Sequence, residues 1–391
     1  MPGERGISSE SIEPTIDACI RLDMYLACLA GTVVLQGTAA KPLEFRKVTI
    51  SNTEPRRDDT GAILDAHDGN LLFVDGRYYL YGTAYGKSTG YGINNRFRVY
   101  SSPDLEHWTF EGELLKSPPD GVHYNPSVVY NSRTHKYILW YNWYPKLWDG
   151  QVGVAVSDTP IGPFSIVTLR ANVTQADQRP GAGTLFLDHD GTGYYIYTAI
   201  EQDHAVRIER LTSDFLASTG QVSDVLARGC ETTSMLKHGG HYYALFDNTC
   251  CFCSQGTGAR VYVSSSPLGP YTEKQNINRS PNNDPIVSGQ QASIARIPTP
   301  NGIALVWIAD RWGSRPDGEK GHDYQFWSAP LRFDDDGNIA PVVNIPRWSL
   351  TVRVGNGHTV HNRKPYVWPR KRDPNPLKVD PCKGTTLPPE E

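Results

Sequence analysis

Hydrophobic and polar positions along this chain repeat on a long period. A short apolar run, a turn holding Asp-Gly or a similar pair, and a strand crowded with aromatic residues recur together. The unit reads LLFVDGRYYLYGT from Leu71, VVYNSRTHKYILWYN from Val128, TLFLDHDGTGYYIYTA from Thr184 and SMLKHGGHYYALFDN from Ser234. A looser copy, SIARIPTPNGIALVWIADRW, starts at Ser293. Asp-Gly and Gly-Gly between apolar runs are hairpin signals. Each copy leads into a third strand that ends in a turn, as in FRVYSSPDLEHW and RVYVSSSPLGPY. Tyr79, Tyr137, Tyr195, Tyr243 and Val306 mark the second strands, about 50–60 residues apart.

One such antiparallel sheet cannot bury both of its faces. Sheets repeated radially cover one another, which is the β-propeller solution. The pattern therefore predicts an all-β, five-bladed β-propeller over residues 45–350, with a leader at 1–44 and a tail at 351–391. Length alone, 391 residues, would have suggested two or three domains. The repeat reduces that to one.

Composition sharpens this picture. The 36 Gly, 29 Pro and 21 Tyr fit short strands joined by many turns. An aromatic fraction of 10% excludes a disordered chain, and a net charge of −4 lacks the basic footprint of a nucleic-acid binder. No apolar run is long enough to span a membrane. Residues 24–40 are uncharged and end in small side chains, the pattern of a signal segment, so secretion is expected. Two glycosylation acceptors, at Asn172 and Asn278, point the same way. Of the seven Cys, the NTCCFC cluster has spacing too tight for zinc, and a disulfide from Cys230 to one of Cys250, Cys251 or Cys253 is expected.

In a propeller the innermost strands converge on a central channel, so polar residues just upstream of each copy meet there. Asp68 precedes the first copy, His123-Tyr124-Asn125 the second, Gly181-Ala182-Gly183 the third, Glu231 the fourth and Gln290-Gln291 the fifth. A pair of carboxylates across a cavity is what glycosidic hydrolysis needs: one protonates the leaving oxygen, the other activates water or attacks the sugar. Trp143, Trp148 and Trp312 follow second strands and could stack on sugar rings. His67, His123, His204 and His322 could each reach the channel as metal ligands. No metal site is assigned to them.

With these residues the sequence resembles glycoside hydrolase family 43 and related five-bladed propeller glycosidases. The segments HDGNLLFVDGRYYLYGT, LFLDHDGTGYYIYT and CETTSMLKHGGHYYALFD carry the resemblance. It implies an inverting, exo-acting hydrolase of arabinose- or galactose-containing polysaccharide, with Asp68 as general base and Glu231 as general acid. The family's third carboxylate, which orients the acid, falls at Ala182. GQQAS and ADRWGSRPDG look closer to the exo-β-1,3-galactanase branch, in which a Gln matched by Gln291 helps place water. Tyr124 stands where that branch has a Glu. Substrate-binding candidates are His67, Tyr124, Asn125, Trp143, Gln291, Arg311 and Trp312. The reading requires no cofactor, although a Ca²⁺ could occupy the channel. It implies a glycan as partner and a monomer, with no nucleic acid and no membrane. A carbohydrate-binding propeller without activity is the alternative.

Overall fold

The computed structural model describes residues 43–355, except residues 91, 94, 147 and 251. The expected signal segment and most of the expected tail lie outside these residues. Five antiparallel sheets form the blades of a propeller, and a two-stranded ribbon completes the fold. Blade 1 comprises Leu71–Val74, Arg77–Ala84, Arg96–Ser102 and Thr109–Glu113. Blade 2 comprises Val122–Asn131, Lys136–Tyr144, Gln151–Ser157 and Ser165–Thr168. Blade 3 comprises Pro180–Leu187, Gly193–Ala199, Ala205–Leu211 and Ser218–Val222. Blade 4 comprises Cys230–His238, His241–Asn248, Arg260–Ser264 and Thr272–Asn276. Blade 5 has three strands, Gln290–Thr299, Gly302–Arg311 and Tyr324–Trp327. The first strand of each blade is innermost and packs against the first strands of its neighbours. No helix among the described residues is long and apolar enough to cross a membrane.

The aromatic second strands form the core. Tyr79, Tyr81 and Phe97 of blade 1 pack on Val128, Leu139 and Tyr141 of blade 2. Trp140 and Ile138 of blade 2 meet Tyr195 and Tyr197 of blade 3. Ile196 and Ile208 of blade 3 meet Ala244 and Phe246 of blade 4. Tyr243 and Leu245 of blade 4 meet Trp307 and Phe326 of blade 5. Burying one aromatic or large aliphatic side chain stabilises by roughly 1.5–3 kcal/mol, so each blade holds its neighbour and none is stable alone.

Blade 5 is joined to blade 1 by the ribbon. Glu44–Ser51 pairs antiparallel with Arg347–Val354, from Glu44 opposite Val354 to Ser51 opposite Arg347. Val48, Ile50, Trp348 and Val352 of the ribbon share one cluster with Tyr78 of blade 1 and Ile297 of blade 5. Asn52 then caps the exposed edge of blade 5. Its Nδ2 donates to the carbonyls of Trp327 (3.0 Å) and Ile345 (2.9 Å), and its Oδ1 accepts the Trp327 N–H (2.9 Å). An edge strand left open would invite pairing with another chain. Trp348, buried with its indole N–H on the Trp327 carbonyl at 2.9 Å, is the ribbon's largest anchor. Trp348→Ala is expected to lower the unfolding free energy by about 3 kcal/mol, measured by denaturant titration. A loss below about 1 kcal/mol would show that the ribbon does not close the ring.

Two sequence expectations change here. The disulfide joins Cys250 to Cys253, and Cys230 is a free, buried thiol. Side chains alternate along a strand. Glu231 faces the channel, so Cys230 faces the blade 3–4 core, where Arg260 Nη1 lies 3.5 Å from its Sγ. Burial pushes this thiol up to about 12. Asn172 is exposed, but Asn278 is fully buried, with its amide bonded to both backbone groups of Val287. Asn278 is therefore no site for a glycan.

Candidate active site

The inner strands are irregular where they reach the site. Pairing shifts between Tyr124 and Ser127 in blade 2, Pro180 and Gly183 in blade 3, Glu231 and Thr233 in blade 4, and Gln291 and Ser293 in blade 5. Such bulges re-aim side chains and are common beside active sites. In blade 1 the same effect comes from Asp68, held at φ 49°. Non-glycine residues rarely adopt this left-handed conformation. Gly69 follows because a Cβ there would lie 2.1 Å from the Tyr81 carbonyl oxygen.

These ends surround one pocket that opens to solvent. Asp68 lines it from blade 1 and Glu231 from blade 4, with Tyr124 and Asn125 between them from blade 2. Asp68 is buried. Its Oδ1 accepts from Thr83 Oγ1 (2.5 Å), its Oδ2 from Tyr85 Oη (2.6 Å), and its N–H donates to Asp310 Oδ2 (2.8 Å). Burial pushes the Asp68 carboxyl up to about 7, against the pull of the two hydroxyls. A carboxylate with that value is matched to proton abstraction near neutral pH. Each oxygen keeps lone-pair capacity beyond its one hydroxyl bond. Asn125 Nδ2 holds the Asp68 carbonyl at 3.2 Å.

Glu231 Oε2 accepts from the Cys250 N–H and from Gln290 Nε2, each at 3.2 Å. Gln290 is held in turn by Trp312, whose indole N–H donates to its Oε1 at 2.8 Å. Directly across the strand pair from Glu231 stands Asp247, fully buried, with Oδ2 accepting from Thr257 Oγ1 at 2.7 Å. Burial, reinforced by the neighbouring Glu231, raises the Asp247 carboxyl well above the usual range.

The sequence candidates separate into two groups. Asp68, Glu231, Tyr124, Asn125 and Trp312 line the pocket, as do Trp148 and Ala182. His67, Trp143, Gln291 and Arg311 do not. His67 lies behind Asp68, with Nδ1 3.1 Å from Asp310 Oδ1. Burial opposes its charge, but Asp310 and Asp65 outweigh burial and raise it to about 8. Trp143 is in the blade 1–2 core, its indole N–H on the Leu169 carbonyl. Gln291 spends its amide on the Thr232 and Leu245 carbonyls and the Trp307 indole. Arg311 donates to the Asn52 carbonyl and lies over Tyr324. The bulge after Gln291 explains the exchange: Gln290, not Gln291, faces the pocket.

Tyr85, Tyr144, His204, Phe252 and Gln290 also line the pocket without having been singled out as substrate ligands. Burial lowers the affinity of His204 for a proton.

The channel histidines do not gather into a metal site. His123 sits between Phe97 and Tyr141, and burial drives it down to about 3. His322 pairs with Asp317. Among the described residues, three ligating side chains approach one another only at Asp104, Glu106 and His107, on a turn of blade 1 that also carries ion pairs to Arg46. The pocket carboxylates Asp68 and Glu231 do not belong to that group.

Residues 63–338 match the family model described as glycosyl hydrolases family 43. The chain belongs to this family. Arabinoxylan arabinofuranohydrolases resemble this family 43 chain in sequence. That of Paenibacillus polymyxa is 26% identical over 318 residues, covering 68% of this chain and 47% of the relative. That of Bacillus subtilis (strain 168) is 24% identical over 318 residues, covering 66% and 57%. The chain thus spans about half the length of the curated relatives it matches. Among solved structures, a family 43 β-1,3-galactosidase holding galactodeoxynojirimycin superposes with TM-score 0.68 and 25% identity, over 76% of this chain and 99% of that one. An exo-β-1,3-galactanase from Phanerochaete chrysosporium, solved with β-1,3-galactotriose, gives 0.66 and 23%, over 79% and 71%, and shares the fold.

Proposed function

We propose that this family 43 protein is an exo-acting, inverting glycoside hydrolase of arabinose- or galactose-containing glycans. One observation carries the reading: two carboxylates from different inner strands, Asp68 and Glu231, line a single pocket. Glu231, protonated, gives its proton to the oxygen of the leaving sugar as the glycosidic bond breaks. Asp68, ionised, takes a proton from water as that water's oxygen bonds to the anomeric carbon from the opposite side. The products are a free sugar of inverted configuration and a shortened glycan, with the proton moved from Glu231 to Asp68 in net terms. The pocket's aromatic wall, with Tyr85, Tyr124 and Trp312 in one cluster, suits the apolar face of a sugar ring.

The two sets of relatives differ in what they act on, so the terminal sugar is found by experiment. Nitrophenyl arabinofuranosides, galactopyranosides, galactofuranosides and xylosides, with arabinoxylan and β-1,3-galactan as polymers, form the panel. Release of a single terminal sugar from one of them is expected, with inversion seen by proton NMR. Glycan binding without release from any of them would turn the reading into a binding protein. The expected secretion is part of the same proposal, and is checked by the culture fraction in which the full chain accumulates.

A further inference from the structure

We propose that the disulfide-closed loop Cys250–Cys253 is the element that positions Glu231. The inference rests on Glu231 as the general acid. Ala182, which lines the pocket from blade 3, has no polar side-chain atom. The loop follows the second strand of blade 4, next to the strand that Glu231 opens. Four hydrogen bonds link the loop, Gln290, Trp312 and the acid. The Cys250 N–H donates to Glu231 Oε2 at 3.2 Å, Gln290 Nε2 bridges Glu231 Oε2 at 3.2 Å and the Cys250 carbonyl at 3.3 Å, and the Trp312 indole fixes Gln290 at 2.8 Å. The disulfide joins the residue that touches Glu231 to one three positions on. It removes the freedom with which that N–H would otherwise wander.

The far side of the loop is fixed separately. Lys320 is buried, and its ammonium lies 3.8 Å from the ring centroids of both Phe252 and Trp312. The Phe252 and Trp312 rings meet edge-on at 5.1 Å. One cation thus holds the loop's aromatic residue against the tryptophan that holds Gln290. The loop and Gln290 converge on one oxygen of the acid, Oε2.

A positioning role differs from a merely structural one in its dependence on the leaving group. A poor leaving group needs the proton from Glu231, whereas a dinitrophenolate leaves without it. The variant is Cys250→Ser with Cys253→Ser, in the full chain. With the best aryl or natural glycoside from the panel, kcat is expected to fall about 10–100-fold, the usual cost of losing a supporting group. With the dinitrophenyl glycoside of the same sugar it should change less than about threefold, and KM should hardly move. Wild type treated with dithiothreitol, which exchanges the disulfide for two thiols, should behave alike and recover on reoxidation. An equal loss on both substrates, or no loss on either, overturns the proposal. Thermal melts separate a folding defect from both. If wild type cleaves neither substrate, or if Glu231→Gln shows no leaving-group dependence, the acid assignment itself has failed.

Discussion

Glu231→Gln is expected to lower kcat for an oligosaccharide by about 10²–10⁴-fold, the usual contribution of general acid catalysis. Gln is close to Glu in shape. It can still accept from the Cys250 N–H and Gln290, but it has no proton to give. The loss should therefore appear in kcat with little change in KM, because the sugar still binds. It should shrink sharply for a dinitrophenyl glycoside. In wild type the alkaline side of the pH profile reports ionisation of the acid, and the variant should lose that side. An unchanged rate on the oligosaccharide would remove Glu231 from the mechanism.

Asp68→Asn has two opposed effects, and together they identify the base. Activity should drop by a similar about 10²–10⁴-fold, because the amide cannot take a proton from water. Burial raises the Asp68 carboxyl to about 7, so wild-type activity should fall as pH is lowered through that value, and the variant's residual activity should not. Stability moves the other way. An unfolded Asp ionises near 3.9. Below about pH 4 Asp68 is neutral in both states and its burial carries no charge penalty. As pH rises from about 4 to 7 the unfolded chain ionises freely while the folded one resists. The protein therefore loses stability over that window, by at most roughly 4 kcal/mol. Asn carries no such charge. Melting curves should show the variant gaining on wild type from pH 5 to pH 8. A pH-independent difference would show that Asp68 is not the group carrying this buried charge. Such a gain in stability on loss of function is typical of active-site groups held in unfavourable surroundings.

The fold was readable in the sequence because its signal is redundant. Each hairpin turn is written again in every copy, and Tyr79, Tyr137, Tyr195 and Tyr243 are all buried as the repeat requires. The two carboxylates were readable for a related reason: each stands at the head of an inner strand, just upstream of the repeated apolar run, where a charge has no packing role. Residues one step away were not. Gln290 and Gln291 are chemically identical neighbours, and only the bulge, which leaves no mark in the sequence, decides which one faces the pocket. Trp143 lies near the end of a second strand and Trp312 just after one, yet one fills a blade interface and the other the pocket. Tyr85 and Phe252 come from connecting segments of different blades, which meet only once the ring has closed. Asp247 escaped notice because it lies near the far end of a second strand and not at the head of an inner one. Its pairing with Glu231 follows only from the register. The cysteine cluster allowed several pairings, and the direction in which Cys230 points, set by strand alternation, removed it.

The ribbon also bears on connectivity. Glu44 and Val354 are cross-strand partners, and residues directly opposite in an antiparallel pair stand about 5 Å apart. A linker of a few residues would span that gap and make the described chain a covalent ring. Blade order then becomes cyclic, and where the polypeptide starts is a matter of choice. The turn at Pro300-Asn301, between the first two strands of blade 5 and remote from them the residues that open the inner strands at the pocket, is a natural place to cut. A permuted chain opened there would carry Asp68 and Glu231 on strands in the same spatial order, with the old ends sealed into an ordinary hairpin.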